Sequence, residues 1–303
     1  MQTARVNLLD RNIVGLIKDA NFGKLETDPV KIRFLRFLRA LDRAPEHVSP
    51  LLSIIEGEKG RQDTPDEKLA VQQKESAALR TFFKHAVTDS GYLDHHSELT
   101  SKTFTHYREG GWEARSVFLE RAAPLIAQKV KKDRRRRTEG ALTAEAKAVG
   151  LSPDDPIVML CIACLYGSDE ARGVIKPHEL STYNALNDLH TLSRIHLMRG
   201  IAKRLGYPVR FRFITRDANL HKVLNWIRVA DSKVSARGNV SMSLRYSSRL
   251  FPSLSMAEYR GLIERVVVPP PPQLGHLFRP YSFRFTMRLN PGAFGGNMGL
   301  FSA

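Results

Sequence analysis

Residues 181–224 read STYNALNDLHTLSRIHLMRGIAKRLGYPVRFRFITRDANLHKVL, and their periodicity changes twice. Leu186, Leu189, Leu192, Ile195 and Leu197 recur at close to helical spacing, which predicts an amphipathic helix from Ser181-Thr182 to Gly206. Gly206-Tyr207-Pro208 breaks it. Val209 to Thr215 then alternates apolar with basic residues, the period of a strand with two unlike faces. That strand ends at Asp217, and a helix is expected from about Asn219 to Val229. Helix, strand and helix in succession belong to an α/β fold with a parallel sheet.

Working outward, VNLLDRNIVGLIKD at residues 6–19 predicts a second strand-to-helix turn, with Asp10 closing the strand. Residues 29–43 place Ile32, Leu35, Phe37, Leu38 and Leu41 near helical spacing, with Arg33, Arg36, Arg39 and Arg43 among them. Ser49-Pro50 reads as an N-cap followed by proline in the first turn, opening a helix that carries Glu56 and ends near Gly57 or Gly60. Residues 61–150 read as polar and mostly helical, an insertion into the 1–230 core. Asp154-Asp155-Pro156 favours a helix for IVMLCIACLYG, with a buried strand as the competing assignment. Val240, Met242, Leu244 and Tyr246 alternate as a strand or hairpin. Ser255 and Glu258 match a capping box for a helix to about Arg265, within a small extension at 231–265. The Pro/Gly-rich tail from 266 to 303 has no period and is expected to be flexible or irregularly docked.

The chain has 303 residues, 42% of them apolar, enough for a real core. Its longest apolar runs are too short to cross a bilayer, and residues 1–5 lack the apolar stretch of a signal peptide. Two cysteines build no disulfide framework. A cytoplasmic location away from membranes is therefore expected. Forty-seven Lys and Arg against 31 Asp and Glu leave a net charge of +16, which favours a polyanion partner. The excess is local: residues 129–137 carry +6, 199–216 carry +6 and 266–303 carry +3.

Two predicted strands end in acids, Asp10 and Asp217, and parallel α/β sheets bind ligands outside the carboxyl ends of their strands. Asp188 lies early on the helix before the second strand, and Glu56 on an early helix. Carboxylates gathered at one cleft repel unless cations neutralise them, and oxygen ligands without His or Cys suit Mg²⁺ or Mn²⁺. Each has a plainer reading: Asp10 and Asp217 as helix N-caps, Asp188 as a dipole complement, Glu56 as a solvated side chain. Cys161 and Cys164 read as buried core thiols. His85, His95, His96 and His106 fit no zinc spacing. KVKKDRRRR is either a solvated run or, through Arg134 and Arg135, an RNA-contacting patch.

VNLLDRNIVGLIKD resembles the opening strand-to-helix motif of PIN-domain nucleases, LLSIIEGEKG their helical second acid, and residues 183–224 their closing helix–strand–helix unit. These segments cover a minority of the chain. The resemblance implies a three-layer α/β fold with a central, mainly parallel sheet, here carrying a large helical insertion and a C-terminal extension. It implies a metal-dependent hydrolase, most simply an endoribonuclease acting on RNA rather than DNA. Asp10, Glu56, Asp188 and Asp217 would be its catalytic acids, with Mg²⁺ or Mn²⁺ on Asp10, Asp188 and Asp217. Thr215 would support the cluster beside Asn12, and Arg11, Arg212, Arg216, Arg134 and Arg135 would contact nucleic acid. It also admits a homodimer. Two other classes stay open: a non-catalytic PIN-like RNA-binding or scaffold protein, and a toxin of toxin–antitoxin type held by a small inhibitory partner protein. The chain departs from a compact PIN domain in its long insertion and in the cations beside Asp10 and Asp217.

Overall fold

A computed structural model describes residues 4–24, 26–105, 109–234, 240–266 and 285–287. In chain order the elements begin with β1 (Ala4–Leu9), α1 (Arg11–Asn21), α2 (Pro29–Ala40), β2 (Glu46–Ser49), α3 (Leu51–Glu56), α4 (Pro65–Phe82) and β3 (Val87–Thr88). Next come α5 (Ser90–His95), α6 (Ser97–Thr105), α7 (Trp112–Ile126), α8 (Lys132–Ala148), α9 (Pro156–Leu165), α10 (Asp169–Ile175) and α11 (Thr182–Arg204). The chain continues through β4 (Val209–Ile214), α12 (Ala218–Trp226), β5 (Ile227–Val234), β6 (Val240–Tyr246), α13 (Met256–Val266) and β7 (Phe285–Met287). Among the described residues, one compact unit takes 4–105 and 194–217, and a second takes 109–193 and 218–287.

The first unit is an α/β body around a four-stranded sheet of order β3-β2-β1-β4. All its pairings are parallel: Leu8 sits opposite Ser49 on one side and Phe213 on the other. Because side chains alternate along a strand, β1 sends Leu9 to one face and Leu8 to the other. Leu9 and Ile214 join Ile13, Val14 and Ile17 of α1, Leu38 of α2 and Leu79 of α4. Leu8 and Phe211 join Leu52 of α3 and Ile195, Met198 and Ala202 of α11. Helices thus cover both faces, as a parallel sheet requires.

The second unit is built on α9, whose ten residues are all buried. Asp155 caps it, accepting from Ile157 N at 3.0 Å, so helix is the correct reading of that apolar run. Arg115 meets Asp155 through Nε at 3.1 Å and Nη2 at 2.9 Å, so the buried cap charge is paired. Helices α7, α8 and α10 pack around α9, and α12 packs on α10. An antiparallel sheet of order β5-β6-β7 completes the unit.

Several expectations need correction. The helix at Ser49-Pro50 ends at Gly57 as expected but begins at Leu51, with Pro50 rather than Ser49 at the N-cap, while Ser49 Oγ accepts from Leu51 N at 3.2 Å. The four residues before Pro50 form β2, hidden from periodicity because Glu46, at an apolar-looking position, is buried against Arg5 and Asn7. Residues 61–150 are not wholly an insertion, since α4 packs on α1 and β3 extends the sheet. The two units divide the chain within 1–230, at 109, 194 and 218. Helix α12 stops at Trp226 and the chain turns into β5. The 266–303 tail lies outside the described residues except Val266 in α13 and strand β7.

Candidate functional site

In the order β3-β2-β1-β4 the chain moves outward from β1 through β2 to β3, then returns to β1's other side as β4. The boundary between β1 and β4 is the point where strand order reverses, and parallel sheets form their ligand crevices there. Asp10 follows β1 and Thr215 follows β4, and Asp10 N donates to Ile214 O at 2.9 Å.

Asp10 is 8% exposed. Its Oδ1 accepts from Arg11 N at 2.8 Å, and its Oδ2 accepts from Asn12 Nδ2 and Thr215 Oγ1, each at 2.5 Å. Thr215 Oγ1 in turn accepts from Asn12 Nδ2 at 3.0 Å and from Asp217 N at 2.9 Å. Asn12 Oδ1 accepts from Arg216 N at 2.9 Å. Thus Asn12 and Thr215 tie the two strand ends together around one carboxylate. Burial raises the pKa of Asp10; the bonds from Thr215, Arg11 N and Asn12 oppose this, while the charge of Asp217 adds to it. The structure therefore brings Asp10, Asn12, Thr215, Arg216 and Asp217 together, and Asp10 is also the N-cap of α1.

Glu56 ends α3 and stands within electrostatic reach of Asp10. Burial, and then the Asp10 charge, push its carboxyl up to about 7 against the pull of Arg11 and Arg194. Arg11 Nη1 lies 3.5 Å from Glu56 Oε1, and Arg11 Nη2 donates to Glu58 O at 2.7 Å. Arg11, expected to touch nucleic acid, thus reaches Glu56 and the Glu58 carbonyl while a third of its side chain stays exposed. Gly57 lets the chain leave α3 at φ 79°. Behind it Lys68, 1% exposed, donates to Ile54 O at 2.8 Å and Ile55 O at 3.1 Å and pairs with Asp63 at 3.0 Å.

Arg212 lies on β4 with its guanidinium 5.1 Å from the Phe37 ring centre. Arg216 Nε is buried with no hydrogen-bond partner among the described residues. Arg134 and Arg135 lie in the first turn of α8, in the second unit, the former exposed and the latter donating to Val130 O at 3.3 Å. Asp188 is half-buried on the part of α11 that belongs to the second unit. Cys161 and Cys164 are buried free thiols with pKa values raised by burial, as core thiols should be. Of the histidines, His106 lies outside the described residues.

Sequence reasoning missed the polar groups around the acids. Lys18 bonds Glu58 at 2.5 Å, and Ser53 donates to the fully buried Glu75 at 2.9 Å. At the ends of β2 and β3, Ser49 Oγ donates to Asp89 Oδ2 at 2.5 Å. The signal for Asp89 was its own position, since it too closes a strand, but a two-residue strand leaves no alternation to detect.

Asp10 and Asp217 raise one another's negative potential and offer only hard oxygen ligands, so the donor chemistry fits a divalent cation such as Mg²⁺ or Mn²⁺. Among the described residues no group of three or more His, Cys, Asp or Glu is disposed to hold a metal. No described helix is long and apolar enough to cross a membrane. Comparison with protein-family models, with curated proteins and with solved structures finds no match to this chain.

Proposed function

We propose that this chain is a metal-dependent nuclease with a PIN-like core, an endoribonuclease that hydrolyses phosphodiester bonds. The observation that carries the reading is Asp10: a buried carboxylate at the switch point of a parallel sheet, oriented by Asn12 and Thr215, with Asp217 and Glu56 in electrostatic reach. Asp10 and Asp217, with Glu56 beside them, would hold Mg²⁺ or Mn²⁺; Asp188 remains a further candidate on sequence grounds. Such an ion supplies Lewis-acid polarisation of a phosphodiester and a lowered pKa for water. Thr215 and Asn12 fix the aim of Asp10 Oδ2. Glu56, whose carboxyl burial and the Asp10 charge raise, would gain stabilisation of its ionised form from a cation bound beside it. Arg212 on β4 and Arg216 just beyond its end would provide positive charge for the substrate backbone.

A second reading is RNA binding without turnover, with the core serving as a scaffold. It is favoured by the pairing of Glu56 with Arg11 and by the three donors already on Asp10. Incubating the purified protein with mixed RNA and single-stranded DNA, in Mn²⁺ or EDTA, separates the two. The nuclease reading expects Mn²⁺-dependent RNA cleavage that Asp10→Asn and Asp217→Asn each abolish while circular dichroism stays unchanged. Salt-sensitive binding with no metal-dependent product selects the second reading.

A further inference from the structure

The basic windows noted in the sequence omit α2, and the fold brings Phe37 of that helix against Arg212 of β4. Arg33, Arg36 and Arg39 are exposed; at 3.6 residues per turn they fall within an arc of about 120°. That arc is turned away from Leu38 and Phe34, which pack into the core. On β4, Arg210 and Arg212 are exposed and two residues apart, so they share a face of the sheet. The two elements meet where the Arg212 guanidinium stacks 5.1 Å from the centre of the Phe37 ring.

The acids of this region are already engaged. Asp42 accepts from Lys84 N, His85 N and Ala86 N at 2.7 to 3.0 Å, and Glu46 takes Arg5 at 2.9 Å. Arg33, Arg36, Arg39, Arg210 and Arg212 form no ion pair among the described residues. Five exposed guanidiniums outside any ion pair among the described residues repel one another, and a polyanion relieves that repulsion.

We infer that the α2–β4 face is the surface on which a single strand of RNA lies, held through its phosphates. The choice of RNA rests on the nuclease reading; the presence of a phosphate-binding face does not. Its direction agrees with that reading, because β4 rises roughly 3.3 Å per residue and so carries a strand about 10 Å from Arg212 to Thr215 and the candidate site. Guanidiniums suit phosphate oxygens by geometry as well as charge.

The test is binding in EDTA, where turnover plays no part. Fluorescein-labelled oligouridine is titrated with the full chain across a salt series, for wild type and for the triple variant Arg33→Ala, Arg36→Ala, Arg39→Ala. Each side chain is exposed and alanine favours helix, so the variant should fold, as its thermal melt will check. Single-strand binding loses about 0.7 in log–log salt slope per phosphate contact. The slope should therefore fall by about 2 and affinity by about tenfold or more. The triple Arg→Lys variant, which keeps the charges, should retain most of the slope. An unchanged slope in the alanine variant overturns the inference. So does loss of binding to anionic phosphatidylserine vesicles with oligouridine binding intact. If oligouridine binding falls as expected but wild type shows no Mn²⁺-dependent cleavage, the face stands and the nuclease reading fails.

Discussion

Thr215 is the residue on which the strand ends depend. Its hydroxyl donates to Asp10 Oδ2 and accepts from Asn12 and from Asp217 N, all at a position only 8% exposed. Thr215→Val keeps the volume and removes every one of these bonds. A buried acceptor or donor left without a partner costs about 1–3 kcal/mol, so urea unfolding should show a loss of that size. Thr215→Ser, which keeps the oxygen, should recover most of it. If the valine variant were as stable as wild type, Thr215 would not be holding Asp10. Asp10 was legible in the sequence because it closes a strand at a change of period, whereas Asn12 and Thr215 entered only through the resemblance to PIN-domain nucleases. Arg11 was legible only as a cation beside an acid. Its actual partners, Glu56 and the Glu58 carbonyl, come from 45 or more residues along the chain, and local spacing carries no information about them.

Among the elements, α3 is, with α5, the shortest of the described α-helices. It has six residues, well below the length at which a helix is stable in water, and at its N-terminus Ser49 Oγ accepts from Leu51 N at 3.2 Å. What secures its far end is Lys68, bonded to Ile54 O and Ile55 O and paired with Asp63, together with Gly57 at φ 79°. A Cβ on Gly57 would stand 2.0 Å from Asp63 Oδ2. Gly57→Ala therefore combines a backbone at φ 79° and ψ 178° that is essentially glycine's alone, costing about 1–3 kcal/mol, with displacement of a buried ion pair. It should destabilise by more than the strain alone, and Lys68→Met, which leaves Asp63 buried and unpaired, by about 3–5 kcal/mol. Equilibrium denaturation measures both, and a Gly57→Ala variant within 0.5 kcal/mol of wild type would count against this account of the α3 cap, since that is the ordinary scatter of surface changes. The longer elements were readable: β4 by alternation, α9 by Asp155, α13 by its Ser255–Glu258 box, in which both reciprocal bonds form. β2 and β3 were not. One has four residues with a buried Glu46, the other has two, and each becomes a strand through pairing with a neighbour.

At the scale of the whole molecule, the charge first appears as an excess of +16, which grows on acidification and should weaken the compact state by self-repulsion. Two acids of the first unit, the buried Glu75 and the half-buried Asp89, whose Oδ1 is buried, work in the opposite direction. Burial pushes Asp89 from 3.8 to about 7 against its bond from Ser49, and Glu75 from 4.5 to about 7 against Lys18 and Ser53. In each, the folded state binds the proton more tightly than the unfolded chain does. Their contribution is therefore fully present below pH 3.8 for Asp89 and is lost as pH rises toward 7. Above pH 7 each holds a desolvated charge at its full cost. For Asp89, linkage sets a ceiling of about 4 kcal/mol on that loss, reduced by whatever relaxation or water entry solvates the ionised group. Asp89→Asn keeps an acceptor for Ser49 Oγ and cannot ionise. Urea unfolding at pH 5 and pH 8 should find the variant's advantage over wild type already begun at pH 5, which lies above 3.8, and larger by one or more kcal/mol at pH 8. Equal stability at both values would mean that Asp89 ionises without cost in the fold. The same titration separates local burial from global charge: repulsion among the exposed arginines responds to salt, whereas the Asp89 difference should persist in 0.5 M NaCl, where the Debye length has shrunk to about 4 Å.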